Sequence, residues 1–370
     1  MNKIIVALLL ISFIFFFFLG LFVGVYKIFP YSELDNIKNQ FELNSEQISN
    51  QYSKPVNLEP MTTLYNIEDV KQKRNELIQF VWKTNELPNK LPEQIDKNIS
   101  DERFIPLSNL EQIDKLTITM EHGLSSIVYV FYPENSNGKV VIYHQGHSGG
   151  FINGKSTIEK FVDDGFTVAA FSMPLIGLNN QPIVNIENIG SVKLLKHNQF
   201  VILESDEFSS MSYFFTPITV TINYLTDISN FKDFYMLGIS GGGWTSTVYP
   251  ALDTRITKSF SIAGSLPLSL RNIISDVGDY EQFNPEFYSI ANYFDIYVMS
   301  SSGNNREHIQ IFNQNDPCCF SGKDSSYLFD PLRNSISSFD SGVFEIIVDE
   351  THNEHKISNF AYDIIMKKLV

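Results

Sequence analysis

Short apolar blocks separated by polar turns run through the middle of the chain. Residues 116–120, 127–132 and 140–144 are apolar runs, and turn-forming segments around Gly123 and Gly138 separate them. Apolar runs of this length bounded by glycine, asparagine and serine are typical of strands joined by turns. The pattern therefore predicts a strand meander.

Beyond residue 150, segments with helical spacing alternate with buried-type strands. The predicted elements are a helix at 156–164, strands at 166–171 and from 234, helices at 208–227 and 244–252, strands at 258–263, 308–312 and 343–348, and a closing helix at 357–368. This alternation favours an α/β fold with a mostly parallel central sheet and helices on both faces. Residues 174–207 and 265–305 lack the pattern and are expected to be inserted lid segments.

The amino-terminal part of the chain is the most apolar. Residues 4–26 contain no charged side chain, and a helix of that length, at about 1.5 Å per residue, would cross a hydrocarbon core of about 30 Å. Residues 1–30 are predicted to be an uncleaved signal anchor, with the rest of the chain on the extracytoplasmic side of the membrane. A cleaved signal peptide is the alternative, but no Ala-x-Ala site follows the apolar run.

A polar segment rich in asparagine, glutamine and glutamate follows the anchor. Residues 31–106 are interpreted as a linker with helical content, and the clearest helix lies at 67–83, where apolar residues recur on one face. That face is expected to pack on the catalytic part of the chain, residues 107–370.

Composition narrows the classes of partner. The net charge of -15 argues against nucleic acid, because phosphate binding relies on clustered lysine and arginine. The two cysteines, Cys318 and Cys319, are adjacent. Adjacent cysteines rarely reach unstrained disulfide geometry, so they are interpreted as small buried apolar residues.

One five-residue motif carries candidate chemistry. The sequence Gly238-Ile239-Ser240-Gly241-Gly242 follows an apolar run and matches GxSxG. This pattern is typical of the nucleophile elbow, a sharp turn from a strand into a helix that presents a serine. Ser240 is therefore the candidate nucleophile.

The order of these features resembles the α/β-hydrolase superfamily, especially its esterase and dienelactone-hydrolase-like branches, over about residues 110–370. In that superfamily an acid and a histidine follow the serine. The resemblance implies Asp316, after the strand at 308–312, as the orienting acid, and His355, directly before the closing helix, as the general base. His352 is the alternative histidine; Asp330 and Asp349 are the competing acids.

The same resemblance implies an oxyanion hole. One backbone N–H would come from Gly241, and the other from the loop at residues 143–150, where His147 is the assigned donor and Gly146 the alternative. The loop departs from the superfamily's usual spelling, because Gln145 stands where many members have histidine before the glycine.

No metal and no cofactor are expected. His144 with His147, and His352 with His355, each spell HxxH, whereas the zinc motif with paired histidines needs an i, i+4 spacing on a helix with a glutamate between them.

The expected function is that of a membrane-anchored serine hydrolase that cleaves a small-molecule carboxylic ester through an acyl-enzyme. The alternatives are a serine peptidase, a thioesterase or an acyltransferase with the same triad, or a catalytically inactive membrane-tethered binding protein.

Overall fold

The computed structural model describes residues 12–14, 16–18, 62–104, 107–187, 189–229, 231–268, 271, 278–321, 332 and 342–369. The chain divides into two compact units, Met1–Leu58 and Glu59–Val370. Most of the predicted signal anchor lies outside the described residues, and none of the helices described is both long enough and apolar enough to span a membrane.

The described part of the second unit alternates strands with helices. The strands are β1 (Gln94–Asp96), β2 (Leu110–Thr119), β3 (Ser125–Pro133), β4 (Val140–His144), β5 (Thr167–Phe171), β6 (Ile183–Ile186), β7 (Gly190–Lys193), β8 (Phe234–Ile239), β9 (Ile256–Ile262), β10 (Glu307–Asn313) and β11 (Val343–Asp349). The α-helices are α1 (Ile67–Trp82), α2 (Lys155–Asp163), α3 (Ser212–Ser229), α4 (Gly241–Leu252), α5 (Tyr280–Phe283), α6 (Pro285–Ile290), α7 (Tyr293–Ser301) and α8 (Asn359–Leu369). Short 3₁₀ helices lie at Glu121–Gly123, Phe151–Gly154 and His197–Leu203.

Nine of these strands form one sheet in the order β1-β2-β3-β5-β4-β8-β9-β10-β11, and β6 pairs with β7 as a separate hairpin. The pairs from β1 to β5 are antiparallel, and those from β5 through β4 to β11 are parallel. From β4 to β10, successive strands on the parallel side are connected through helices, the usual form of the long crossover that parallel pairing needs. The carboxyl ends of β4, β8, β10 and β11 therefore meet at one edge of the sheet.

Both faces of the sheet are covered. In β4, Val140 and Ile142 pack on one face with α1, α3, α4, α6 and α7, whereas Val141 and Tyr143 pack on the other with α2 and α8. Because successive side chains of a strand point to opposite faces, the uninterrupted apolar run of β4 reflects burial on both sides. The mostly parallel sheet with helices on both faces is confirmed.

Helix α1 belongs to the same compact unit as the sheet. It begins with a capping box in which the Asn66 side chain accepts hydrogen bonds from the backbone of Glu68 and Asp69. Arg74 Nε donates to the carbonyl of Ala251 at 2.7 Å, and Trp82 Nε1 donates to Thr216 Oγ1 at 2.9 Å. These bonds join the helix to α3 and α4.

The two cysteines differ from the sequence-based interpretation. Cys318 and Cys319 are bonded to each other in a disulfide, and Cys318 is exposed. The prediction of two buried apolar residues is wrong, because the backbone N–H groups of this pair turn inward to Asp316 at 2.8 and 3.2 Å.

Candidate active site

Ser240 occupies the sharp turn between β8 and α4. Its backbone has φ 57° and ψ -126°, a conformation that residues with a side chain rarely adopt. A Cβ at Gly238 would lie 2.2 Å from the carbonyl oxygen of Gly242, and one at Gly242 would lie 2.0 Å from that of His144. The glycines of the motif are therefore required by close backbone packing.

The loop after β4 lies directly against this turn. A Cβ at Gly146 would be 2.6 Å from Ser240 Cβ and 3.1 Å from the Gly241 nitrogen. The neighbouring Gln145 is buried, and its side-chain oxygen accepts a hydrogen bond from the Tyr143 hydroxyl. Folding thus places the peptide groups of this loop beside the candidate nucleophile.

Asp316 and His355 contact each other at the same edge of the sheet. His355 Nδ1 lies 2.6 Å from Asp316 Oδ2. The other carboxylate oxygen, Oδ1, accepts hydrogen bonds from the backbone of Cys318 and Cys319. Burial raises the pKa of Asp316, but the hydrogen bond with His355 and the two backbone N–H groups outweigh it, so that this pKa is lowered. Asp316 is therefore held as a carboxylate.

This contact fixes the tautomer of His355. A carboxylate can only accept, so Nδ1 carries the proton and Nε2 of the neutral ring carries the lone pair. Nε2 is buried and has no hydrogen-bond partner among the residues that the structure describes. His355 consequently offers one free basic nitrogen.

His352 and Asp349, the alternatives to His355 and Asp316, have other polar contacts. His352 Nδ1 accepts from the backbone of Glu354, and its Nε2 lies 3.3 Å from Asp349 Oδ2 in a geometry that does not make a hydrogen bond. Asp349 accepts from Thr351 and from the Ser358 hydroxyl at the start of α8. Asp349 thus organises the turn before α8, and Asp330 lies outside the described residues.

A second cluster adjoins the elbow through the side chain of His147. A Cβ at Gly241 would be 2.4 Å from His147 Cε1. His147 Nε2 lies 2.8 Å from Glu281 Oε1, 3.1 Å from Asp279 Oδ2 and 3.2 Å from His197 Nδ1. Together these four side chains could hold a metal ion.

Burial and neighbouring charges have opposite effects on the pKa values of Glu281 and His197. Burial alone would raise the pKa of Glu281, but the adjacent His197 and His147 lower it. Burial would likewise lower the pKa of His197, but Glu281 raises it. The pKa of Asp279 is raised by its own burial and by the charge of Glu281.

The two HxxH pairs do not form metal-binding groups of their own. His144 Nδ1 donates to the carbonyl of Gln145 at 2.9 Å, and its ring stacks on Phe171. The partner of His147 is His197, which the sequence analysis did not single out. The only signal in the sequence was the acidic pair Asp279 and Glu281 within the second insertion.

Two solved structures with similar folds carry the names of esterases. Acetyl xylan esterase 1 from Thermoanaerobacterium sp. JW/SL YS485 matches with a TM-score of 0.56 at 17% identity, over 84% of this chain and 96% of that enzyme. A methylesterase matches with a TM-score of 0.50 at 14% identity, over 81% of this chain and 62% of its own. No protein-family model matches the sequence, and no curated protein matches it. The sheet order, the serine turn between β8 and α4 and these similarities show that the chain has the α/β-hydrolase fold.

Proposed function

We propose that the protein is a serine hydrolase that cleaves carboxylic esters through an acyl-enzyme, with Ser240 as nucleophile, His355 as general base and Asp316 as orienting acid. The observation that carries the proposal is the His355 ring, whose Nδ1 is hydrogen-bonded to Asp316 and whose Nε2 has no hydrogen-bond partner within the described part of the chain. A serine hydroxyl is a poor nucleophile until a base takes its proton, and a neutral imidazole held in this tautomer is suited to that role.

The reaction follows from these positions. His355 Nε2 takes the proton of Ser240 Oγ while Oγ attacks the ester carbonyl carbon, and the negative charge moves to the carbonyl oxygen. The protonated histidine then passes that proton to the departing alcohol, which leaves Ser240 acylated. Water attacks the acyl group by the same route, and this step releases the acid and restores the serine.

Two backbone N–H groups would stabilise the negative oxygen. Gly241 supplies one, because it directly follows the nucleophile as the first residue of α4. His147 supplies the other, with Gly146 as the alternative. Loss of one such donor typically costs about 3 kcal/mol of transition-state stabilisation.

An ester is the favoured substrate class because the most similar of the solved structures reported above is named an acetyl xylan esterase and the other a methylesterase. Both names describe esters with a small acyl or alcohol group. We therefore propose a small ester as the substrate. Peptidase, thioesterase and acyltransferase activities would use the same three residues.

The test combines covalent labelling with turnover. We expect a fluorophosphonate probe to label the full chain at Ser240, and nitrophenyl acetate to give a burst of nitrophenol with one equivalent of acyl-enzyme. Ser240→Ala should abolish both. Ser246→Ala is the matched control, because Ser246 lies in the same helix and its hydroxyl donates to the Gly242 carbonyl. An unlabelled wild-type chain, or labelling that survives Ser240→Ala, would refute the proposal; cleavage of a peptide or thioester but no ester would refute the substrate class.

We further propose that the apolar residues 4–26 anchor the chain in a membrane, with the hydrolase on the extracytoplasmic side. The support is the sequence, which has no charge over that segment. Full-length chain should remain with membranes after a carbonate wash, and a chain without residues 1–30 should not. Protease added to intact cells should digest the hydrolase; recovery of the full chain in the soluble fraction would contradict the anchor.

A further inference from the structure

We propose that His147, His197, Asp279 and Glu281 form a binding site for a divalent transition-metal ion, with Zn²⁺ the best match. One ligand atom from each side chain lies within 4.8 Å of the other three. A tetrahedral zinc ion with bonds of about 2.0–2.1 Å holds its ligand atoms about 3.3 Å apart. Four separations among these side chains lie between 2.8 and 3.2 Å, close to that spacing; two of them involve different carboxylate oxygens of Glu281.

The hydrogen bond made by His197 Nε2 shows that the lone pair of the neutral ring is on Nδ1. His197 Nε2 lies 2.9 Å from the carbonyl oxygen of Pro174. A carbonyl can only accept, so Nε2 carries the proton, and Nδ1 of the neutral ring presents its lone pair to Glu281 Oε2 at 3.1 Å. Metal-binding histidines commonly donate their other N–H to a backbone carbonyl in this way, because that bond fixes the tautomer and the ring orientation.

A lone pair that faces a carboxylate oxygen needs a positive charge between them. That charge can be a proton on His197, which would make an ion pair, or a metal ion. A proton serves this cluster less well than a metal ion, because His147 Nε2 lies only 3.2 Å from His197 Nδ1, so that two N–H groups donated to Glu281 would lie side by side with like partial charges. One proton also leaves the second carboxylate uncompensated.

The charge of the cluster matches a divalent ion. Glu281 is completely buried and His197 is 3% exposed. With both rings neutral, the two carboxylates bring two negative charges together, and burying unpaired charge is costly. A divalent ion would neutralise both carboxylates and bond to both imidazoles, a nitrogen and oxygen donor set that suits zinc.

The ion could reach this cluster from solvent, and it would join separate segments of the chain. The Asp279 side chain is 43% exposed, so an ion can enter from solvent along that side. The four ligands come from the loop after β4, the 3₁₀ helix His197–Leu203 and the start of α5. The ion would fasten both inserted segments to His147 beside the nucleophile. The site itself does not depend on the proposed function, although its effect on the oxyanion loop does.

Zinc binding can be measured without any substrate. Full-length chain is stripped with a chelator, dialysed and titrated with Zn²⁺ against a chromophoric zinc indicator. We expect one ion per chain and a rise in melting temperature of several degrees, since an ion that binds the folded state alone stabilises it. Co²⁺ should give the intense visible bands of a tetrahedral site, and this readout needs no variant.

Variants assign the binding to these residues. Glu281→Gln and His197→Gln should weaken zinc binding at least about tenfold, because each removes one bond to the ion. His122→Gln, at an exposed turn, should bind as the wild type does. Ser240→Ala should also bind normally, which separates this proposal from the esterase proposal. Failure of the wild-type chain to bind Zn²⁺, or binding unchanged in both Glu281→Gln and His197→Gln, would overturn the metal site and leave a proton-mediated ion pair.

Discussion

At the scale of single residues, one hydrogen bond decides what His355 can do. Asp316 accepts from Nδ1, so the basic electron pair is on Nε2. His352 has the reverse arrangement, because its Nδ1 accepts a backbone N–H and its Nε2 carries the proton. Two histidines three positions apart in the chain thus differ in which nitrogen can act as a base.

This difference predicts different effects on turnover. His355→Ala should lower kcat for ester hydrolysis by roughly 10⁴-fold or more, as losses of a triad base do. His352→Ala should leave kcat within about threefold, since it removes no group from the reaction. Steady-state kinetics on both variants, with circular dichroism to verify folding, gives the comparison. Equal losses in the two variants would contradict the assignment of His355.

A residue far from the site makes stability depend on pH. His308 is fully buried; Gln310 Nε2 donates to its Nε2, and its Nδ1 donates to Ser259 Oγ, each at 2.7 Å. Burial, with a smaller contribution from the charge of Arg306, lowers the pKa of His308 to about 3. The unfolded chain takes up this proton near pH 6.5. Between these two pH values the unfolded state binds more protons than the folded state does.

The free energy of unfolding should therefore be unaffected by His308 above about pH 6.5 and should fall as pH drops towards about 3. The contribution of this one group approaches about 1.4 kcal/mol per pH unit. Urea unfolding of the wild type and of His308→Gln between about pH 7 and pH 5 isolates it, because all other groups are shared. Identical pH dependence in the two proteins would show that His308 is not responsible.

At the scale of elements, the turn from β8 into α4 depends on the absence of side chains. Alanine normally favours a helix over glycine by about 1 kcal/mol. Gly242→Ala should nevertheless be destabilising, because its Cβ would lie 2.0 Å from the backbone oxygen of His144, which cannot rotate away. We expect a loss of about 2 kcal/mol or more, together with loss of fluorophosphonate labelling.

Gly138→Ala provides the control for that prediction. Gly138 has φ +77° with no atom within 4 Å of an added Cβ, so only the cost of the left-handed conformation remains, about 1–2 kcal/mol. Thermal melting and labelling are measured on both variants. If Gly242→Ala retains labelling and melts like Gly138→Ala, close packing at the elbow is not what the glycine provides.

Elements with simple burial patterns could be predicted, and others could not. The strand expected at residues 140–144 coincides with β4 because all five residues are buried. Helix α7 was missed within the second insertion because all nine of its residues are buried, which leaves no amphipathic period to recognise. In β6, Ile183–Ile186, three of the four residues are apolar but only Val184 is buried, so this short strand has no alternation that would mark it in the sequence.

At the scale of the whole molecule, the sheet determines which parts of the site the sequence could predict. Ser240, Asp316 and His355 each follow a parallel strand, so chain order and topology suffice to bring them to one edge. His147 and Glu281 are 134 positions apart and belong to no common pattern. Their contact depends on how the insertions fold back over the sheet, and no periodicity in the chain encodes that.

The packing of α1 and the pairing of β1 indicate where the chain can be shortened. Four residues of α1 are buried, and β1 pairs with β2. A chain beginning at Glu59 should fold, melt cooperatively and hydrolyse esters, whereas one beginning at residue 107 should be insoluble or inactive, because it loses this apolar packing and an edge strand. Solubility, melting and labelling of the two shortened chains test this. Full activity of the shorter chain would mean that residues 59–106 are dispensable.

The two proposals assign His147 two tasks through different atoms. Its backbone lies in the loop beside Ser240, while its ring is held by Glu281, Asp279 and His197 from the two insertions. Any movement that lifts those insertions away must either release this ring or pull the loop with it. If the ring stays bound and the loop moves, the open form would lose the backbone N–H that we propose stabilises negative charge on a bound ester. Opening and catalysis would then exclude each other without any separate regulatory element.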